Sequence, residues 1–149
     1  MSWPDLTIET ADVATDDLLV AINHLIPQLS SSFEGLDHEG LVTVIDDPAT
    51  SLLLARSPEL GVVGTLTLAL FTLPTGVRAW IEDVVVDESA RGMGAAKALV
   101  KRALELAHGA GATTVDLTSR PSRVAANQLY LAMGFEARET NVYRFSLDR

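Results

Sequence analysis

The run Ile81 Glu82 Asp83 Val84 Val85 Val86 Asp87 Glu88 Ser89 Ala90 Arg91 Gly92 Met93 Gly94 Ala95 Ala96 reads as an apolar strand that passes through a glycine turn into an amphipathic helix. Glycines at 92 and 94 allow a tight turn and a close approach of backbone to ligand. The first amides of the following helix have no carbonyl to bond, so they point outward at the positive end of its dipole. A junction of this kind holds a phosphate or pyrophosphate. A bare Gly-x-Gly also serves as an ordinary helix entry, but a strand before it and a helix after it favour the anion site. A dinucleotide fold would put a third glycine where Lys97 stands and would not follow an antiparallel meander. A nucleotidase phosphate loop needs Gly-Lys-Ser/Thr, which does not occur.

Length limits what can surround this junction. The chain has 149 residues, 48% of them hydrophobic, which suits one domain with a sizeable core over residues 1–149 and leaves no room for a second. It has no cysteine, which excludes disulfides, thiolate metal sites and a covalent cysteinyl intermediate. His24, His38 and His108 are too scattered for a metal cluster and read as surface helix residues, so no metal is inferred. Met1 to Asp5 lack a basic region and an apolar run, and no apolar stretch approaches membrane-spanning length; a cytoplasmic protein without membrane association is expected.

The net charge of −9 argues against a nucleic-acid partner or an anionic lipid surface, both of which need a basic face. Residues 1 to 76 hold 11 acidic residues against Arg56 alone, whereas residues 77 to 149 hold 9 acidic against 10 basic. A cationic ligand arriving at the first half would meet a favourable field, although an acidic solvated surface is the commoner reason for such a balance.

Along the chain, Leu6 to Glu9 reads as a first strand. A helix follows from Asp16 with apolar stripe Leu18, Leu19, Ile22, Leu25, Ile26, cap Thr15 and a kink or end at Pro27. Leu36 and Leu41 around Asp37 make a hydrophobic staple for a second helix to about Ile45. Ser51 to Arg56, Val62 to Leu70 and Val77 to Val86 are strands joined by connections short enough for antiparallel hairpins. Arg91 to His108 is a helix closed by Gly109 and Gly111, and with Thr113 to Leu117 it completes a parallel β-α-β unit. Ser122 caps a last helix through Met133, and Phe135 to Arg138 with Val142 to Leu147 reads as a final hairpin. The fold class is α+β: a single domain with a mostly antiparallel sheet, one parallel unit at the anion turn and about four helices.

Two motifs tie this order to a family. Arg91-x-x-Gly94-x-Ala96 resembles the Arg/Gln-x-x-Gly-x-Gly/Ala signature of the GNAT family of N-acetyltransferases. Arg123-x-x-Ala126-x-x-Leu129-Tyr130-x-x-x-Gly134-Phe135 resembles that family's Asn-x-x-Ala-x-x-Leu-Tyr-x-x-x-Gly-Phe segment. The similarity in element order spans essentially the whole chain and is strongest from Ile81 to Phe135. It implies acetyl-coenzyme A as cofactor, held by Arg91, Gly92, Met93, Gly94, Ala95 and Ala96, chiefly through backbone donors. It also implies a bulge in strand Ile81 to Val86 that splays it from Thr113 to Leu117 and frees main-chain groups of Val84 and Val86; an amide near Val84 or Val85 would stabilise the tetrahedral oxyanion. Where the family often has Asn this chain has Arg123, with Asn127 one turn later, and either could contact the pantetheine arm.

The chemistry follows from the acceptor. Alkylammonium groups titrate near pH ~10, so about one molecule in a thousand is a free nucleophile at neutral pH and a base must take its proton. Glu82 and Asp83 alternate across their strand, so one of them faces the coenzyme. Ile-Glu-Asp-Val-Val-Val resembles the Leu-Glu-Asp strand of small-amine acetyltransferases, which favours Glu82 as base; an ion-pair or substrate-anchoring role is the competing reading. The resemblance makes Tyr130 the general acid for the departing thiolate. The function expected is direct acetyl transfer to a primary amine of a small molecule or peptide, without an acyl-enzyme and with a homodimer left open. The alternative is a non-catalytic acyl-coenzyme A sensor on the same fold.

Overall fold

The computed structural model describes residues 5–148; residues 1–4, in which no leader was read, lie outside the described residues. The chain falls into two compact units, one ending at Thr118 and one beginning at Ser119.

In the first unit, β1 (Thr7–Thr10) is followed by α1 (Asp16–Leu25). Thr15 Oγ1 accepts the Leu18 N–H at 3.2 Å, and Asp16 and Asp17 sit at the positive end of the helix. Pro27 cannot continue the ladder, and the chain tightens into a 3₁₀ turn at Ile26–Gln28. The cap of α2 (His38–Asp46) is Asp37, whose Oδ1 accepts the Gly40 N–H at 2.8 Å, and Leu36 and the fully buried Leu41 flank it as a staple. Strands β2 (Thr50–Ser57), β3 (Gly61–Leu73) and β4 (Gly76–Val86) form the expected antiparallel meander, to which β1 adds against β2. A 3₁₀ turn at Glu88–Ala90 leads to α3 (Ala95–Gly109), and β5 (Val115–Asp116) returns parallel to β4. Sheet order is β1-β2-β3-β4-β5.

Cross-strand register sorts the sheet into two faces. Leu52 and Leu54 pair with Thr67 and Thr65, which in turn pair with Glu82 and Val85. That face is covered by α1 and α2, whose Leu18, Ile22 and Leu41 share a core with Leu52 and Leu54. Gly64, Leu66, Leu68 and Ile81 lie on the other face, which receives α3 through Leu99, Val100, Ala103 and Ala107. Each helix therefore buries one apolar stripe, and burial of this kind contributes about 25 cal/mol per Å² of apolar surface.

Several boundaries differ from the sequence reading. Helix α3 begins at Ala95, not Arg91, because the 3₁₀ turn and left-handed backbone at Gly92 (φ 84) and Gly94 (φ 81) hold the chain off the helix until then. Strand β5 pairs over two residues instead of Thr113 to Leu117.

The second unit contains α4 (Val124–Ala132). Ser122 does not cap it; the residue before the helix is Arg123, which makes no side-chain cap bond. Among the described residues the final hairpin is not formed. Val142, Tyr143, Phe145 and Leu147 are instead 74 to 90% exposed. Alternating apolar residues make a strand only where another strand accepts them, and Thr140-Asn141 lacks the glycine that favours a tight two-residue hairpin.

One close approach fixes the distance between α3 and the sheet. A Cβ built at Gly64 would lie 3.1 Å from Val85 O and 3.3 Å from Leu99 Cδ1. Gly64→Ala should therefore destabilise the protein by about 1–3 kcal/mol through overpacking, measured by denaturant unfolding; an unchanged midpoint would show that α3 moves freely against β3 and β4.

Candidate active site

The strand that carries the candidate base is interrupted where it matters. Thr67 pairs with Glu82 and Thr65 with Val85, so three steps on β4 oppose two on β3 and one extra residue is accommodated as a bulge. Asp83 takes φ 51, a left-handed conformation that Asp tolerates better than most residues. The bulge ends the simple alternation assumed for Glu82 and Asp83: Glu82 shares with Trp80 and Val85 the sheet face on which α1 and α2 pack over Leu52 and Leu54, and is itself exposed there. The parallel ladder also stops short of it. Pairing between β4 and β5 is confined to Ala79 with Val115 and Trp80 with Asp116, so from Ile81 to Val86 the β5 side of β4 has no strand partner among the described residues. Main-chain groups of Val84 and Val86 on that side are left for another ligand, whereas those of Val85, in phase with the Asp87 N–H that donates to Val63 O, face β3.

Glu82 is exposed and held in place. The Trp80 indole N–H donates to Glu82 Oε1 at 2.6 Å, which leaves Oε2 free to accept a proton or a hydrogen bond. Sequence reasoning overlooked Trp80, although its place two residues before Glu82 on one strand was the signal. Asp83 is exposed as well.

At the turn, Gly92 and Gly94 adopt conformations that side chains rarely do, and a Cβ at either would meet nothing within 4 Å. The space beside their backbone is open. The first intrahelical bond of α3 runs from the Ala98 N–H to Gly94 O at 3.0 Å. The amides of Gly94, Ala95, Ala96 and Lys97 therefore have no intrahelical acceptor and form the donor set for an anion at the positive end of the helix. The amides of Arg91 and Met93 are used inside the turn, donating to Glu88 O at 3.4 Å and Ala90 O at 3.3 Å. Met93 is buried, and the exposed Arg91 guanidinium lies 4.0 Å from Glu88. A diphosphate fits this donor set: adjacent amides on an open, left-handed backbone.

Asp87 joins the strand to the turn and is the most heavily bonded carboxylate there. It accepts from Ser89 Oγ and from Gln28 Nε2 at 2.8 Å, and His24 Nε2 lies 3.1 Å away. The Ser89 hydroxyl, then the Gln28 amide, and lastly His24 hold its carboxyl below the usual carboxylate range against the opposing effect of burial. His24 and Gln28 were not singled out from sequence, because their partner is about 60 residues away.

In the second unit, Arg123 stands just before α4, and Asn127 and Tyr130 follow it on the helix at helical spacing. Asn127 Nδ2 donates to Arg120 O at 2.9 Å and so closes the turn that enters the helix. Tyr130 is 7% exposed and packs edge-on against Phe135 with centroids 5.7 Å apart. Burial pushes its phenol above the ordinary value, and the Arg123 guanidinium pulls it partly back. The phenol therefore keeps its proton at neutral pH. His24, His38 and His108 are exposed on helices, and among the described residues no group of three or more His, Asp or Glu could hold a metal ion.

Residues 21–135 match the acetyltransferase (GNAT) family model. The chain belongs to the acetyltransferase (GNAT) family. The five-stranded mixed sheet and four α-helices among its described residues match the fold of that family. A Trypanosoma brucei acetyltransferase superposes with a TM-score of 0.76 at 26% identity, over 96% of this chain and 100% of its own. An aminoglycoside acetyltransferase from an uncultured soil metagenomic sample gives 0.83 at 19% identity, covering 98% of each chain. The ribosomal-protein-alanine N-acetyltransferase of Brucella melitensis biovar Abortus gives 0.74 at 21% identity, over 95% of this chain and 99% of its own. At such identities the last two share the fold alone. No curated protein matches the chain in sequence. No helix among the described residues is long and apolar enough to cross a membrane.

The lowered Asp87 titration has a stability consequence. A carboxyl depressed in the folded state stabilises above its ordinary value near pH 3.8, and that stabilisation is lost as the pH falls through the folded value. Asp87→Asn should lower stability at pH 7 and flatten the decline on acidification below about pH 4; equal acid limbs in urea titrations of the two proteins would contradict this.

Proposed function

We propose that the chain is an acetyl-coenzyme A-dependent N-acetyltransferase that passes an acetyl group directly to a primary amine of a small molecule or peptide. The observation that carries this reading is the adjacency, on one continuous segment, of a strand with unpartnered main chain and a turn with unbonded helix amides. The amides of Gly94, Ala95, Ala96 and Lys97 hold the diphosphate of the coenzyme, with Gly92 giving the backbone room to approach; Arg91 adds an exposed positive charge. Acetyl-coenzyme A, when bound, supplies the thioester carbonyl that the amine attacks. Main-chain groups of Val84 and Val86 hold the arm leading to that carbonyl, and the Val84 amide offsets the negative charge that develops on its oxygen.

Proton traffic falls to two side chains. Glu82, with Oε1 fixed by Trp80, takes the proton of the incoming ammonium at Oε2, directly or through water. Tyr130, kept protonated by burial, gives its proton to the thiolate as the carbon–sulfur bond breaks. Arg123 lowers the cost of the phenolate left behind. The acceptor is recognised on the face covered by α1 and α2. There Asn23 pins the connecting loop by two bonds to the main chain of Leu36 at 2.8 and 2.9 Å. An open depression beside it is lined by Glu34, Gly35, Leu36 and Asp37, whose two carboxylates favour a cationic amine.

The test is release of free thiol from acetyl-coenzyme A across a panel of chemically varied amines. Wild-type protein should turn over at least one amine, and Tyr130→Phe and Glu82→Gln should each lower kcat about 10²–10⁴-fold with coenzyme affinity nearly unchanged. Unaltered turnover in Tyr130→Phe with every acceptor would remove that residue from the mechanism. Coenzyme binding without thiol release from any amine would make the chain a non-catalytic acyl-coenzyme A sensor.

A further inference from the structure

We infer that Gln28 is a positioning residue for the coenzyme turn, acting as a two-way clamp between the 3₁₀ turn after α1 and the segment that enters Gly92. The inference rests on the reading of that turn as the diphosphate site. Both ends of the Gln28 amide are used. Nε2 donates to Asp87 Oδ1 at 2.8 Å, and Oε1 accepts the Glu88 N–H at 3.2 Å. His24, one helical turn earlier, brings Nε2 to 3.1 Å from the same Asp87 oxygen, and Ser89 Oγ occupies the other. Asp87 is held from behind as well, its own N–H donating to Val63 O at 2.7 Å. Three consecutive residues, 87 to 89, thus have their polar groups committed just before the glycines, with the partners outside the segment lying on β3 and on the α1 end.

The α1 end is a firm anchor. Leu25 is fully buried and Ile22 5% exposed, so the helix that presents His24 and leads into the 3₁₀ turn carrying Gln28 is fixed to the sheet by its apolar stripe. The turn is bonded internally through the Arg91 and Met93 amides, but the left-handed glycines at 92 and 94 are conformationally free and the Arg91–Glu88 pair is exposed at 4.0 Å, so its entry gains from an outside anchor. A donor set of helix amides binds a diphosphate well only if it is already in place, since ordering it on binding subtracts from affinity. The clamp supplies that order from the element that also covers the Glu82 face. Gln28 and His24 are exposed, so their role is not core packing.

The experiment is calorimetry of coenzyme A binding to the full chain, together with steady-state kinetics, for wild type, Gln28→Met, Asp87→Ala and the double variant. Gln28→Ala serves as a second replacement. Gln28→Met should weaken binding about three- to tenfold, through the loss of two partly exposed hydrogen bonds, one to the Asp87 carboxylate and one from the Glu88 N–H. It should raise the KM for acetyl-coenzyme A by the same factor while kcat changes by less than about twofold. The double variant should bind no worse than the weaker single one, because both substitutions open one clamp. Wild-type protein that takes up no coenzyme A would overturn the reading of the turn itself. Wild-type binding with both Gln28 variants unchanged, or effects that add in full, would overturn the clamp alone.

Discussion

Four backbone amides at the start of α3 cannot be satisfied by the helix they open, and the rest of the site is arranged around that deficit. Left-handed backbone at Gly92 and Gly94 turns the chain so sharply that β4 and α3 meet with these donors at an open surface. An L side chain at either position would carry conformational strain, and one at the turn would also fill the space a ligand needs. The apolar stripe of α3, from Ala95 through Leu99 and Ala103 to Ala107, fixes the helix to the sheet, so the deficit is presented at a constant place.

The bulge in β4 complements this. One extra residue between Glu82 and Val85 lets the strand keep its bonds to β3 while its pairing with β5 ends at Trp80. The parallel ladder ends where β5 ends, at Asp116, so the main-chain groups that the reading assigns to the acyl arm lie beyond it. Trp80 and Glu82, two residues apart on the regular stretch just before the bulge, share a face by strand alternation, close enough for the indole to hold the carboxylate. The regular part of β4 thus orients the candidate base, and the part beyond it offers the unpaired edge.

How much of this was legible in the sequence depended on how local its cause was. The cap at Thr15, the stop at Pro27 and the staple of Leu36 and Leu41 around Asp37 are decided within a few residues, and all three formed as the pattern implied. The meander followed from short connections. The start of α3 was placed too early because Arg91 to Gly94 suit a helix entry by composition, while the positive φ values of the two glycines keep them out of it. The tail misled for the opposite reason: Val142 to Leu147 carry a strand-like alternation, yet no strand pairs with it among the described residues. Nothing local announced that His24 and Gln28 would meet Asp87, because that contact is made only when α1 packs on the sheet.

The account is tested most directly by following backbone amide resonances while coenzyme A is added to the protein. Saturable shifts concentrated at Gly92 and from Gly94 to Lys97, with smaller changes at Val84 to Val86, are the expected result. Coenzyme binding that leaves the amides of residues 94 to 97 unmoved while shifting another region would contradict it.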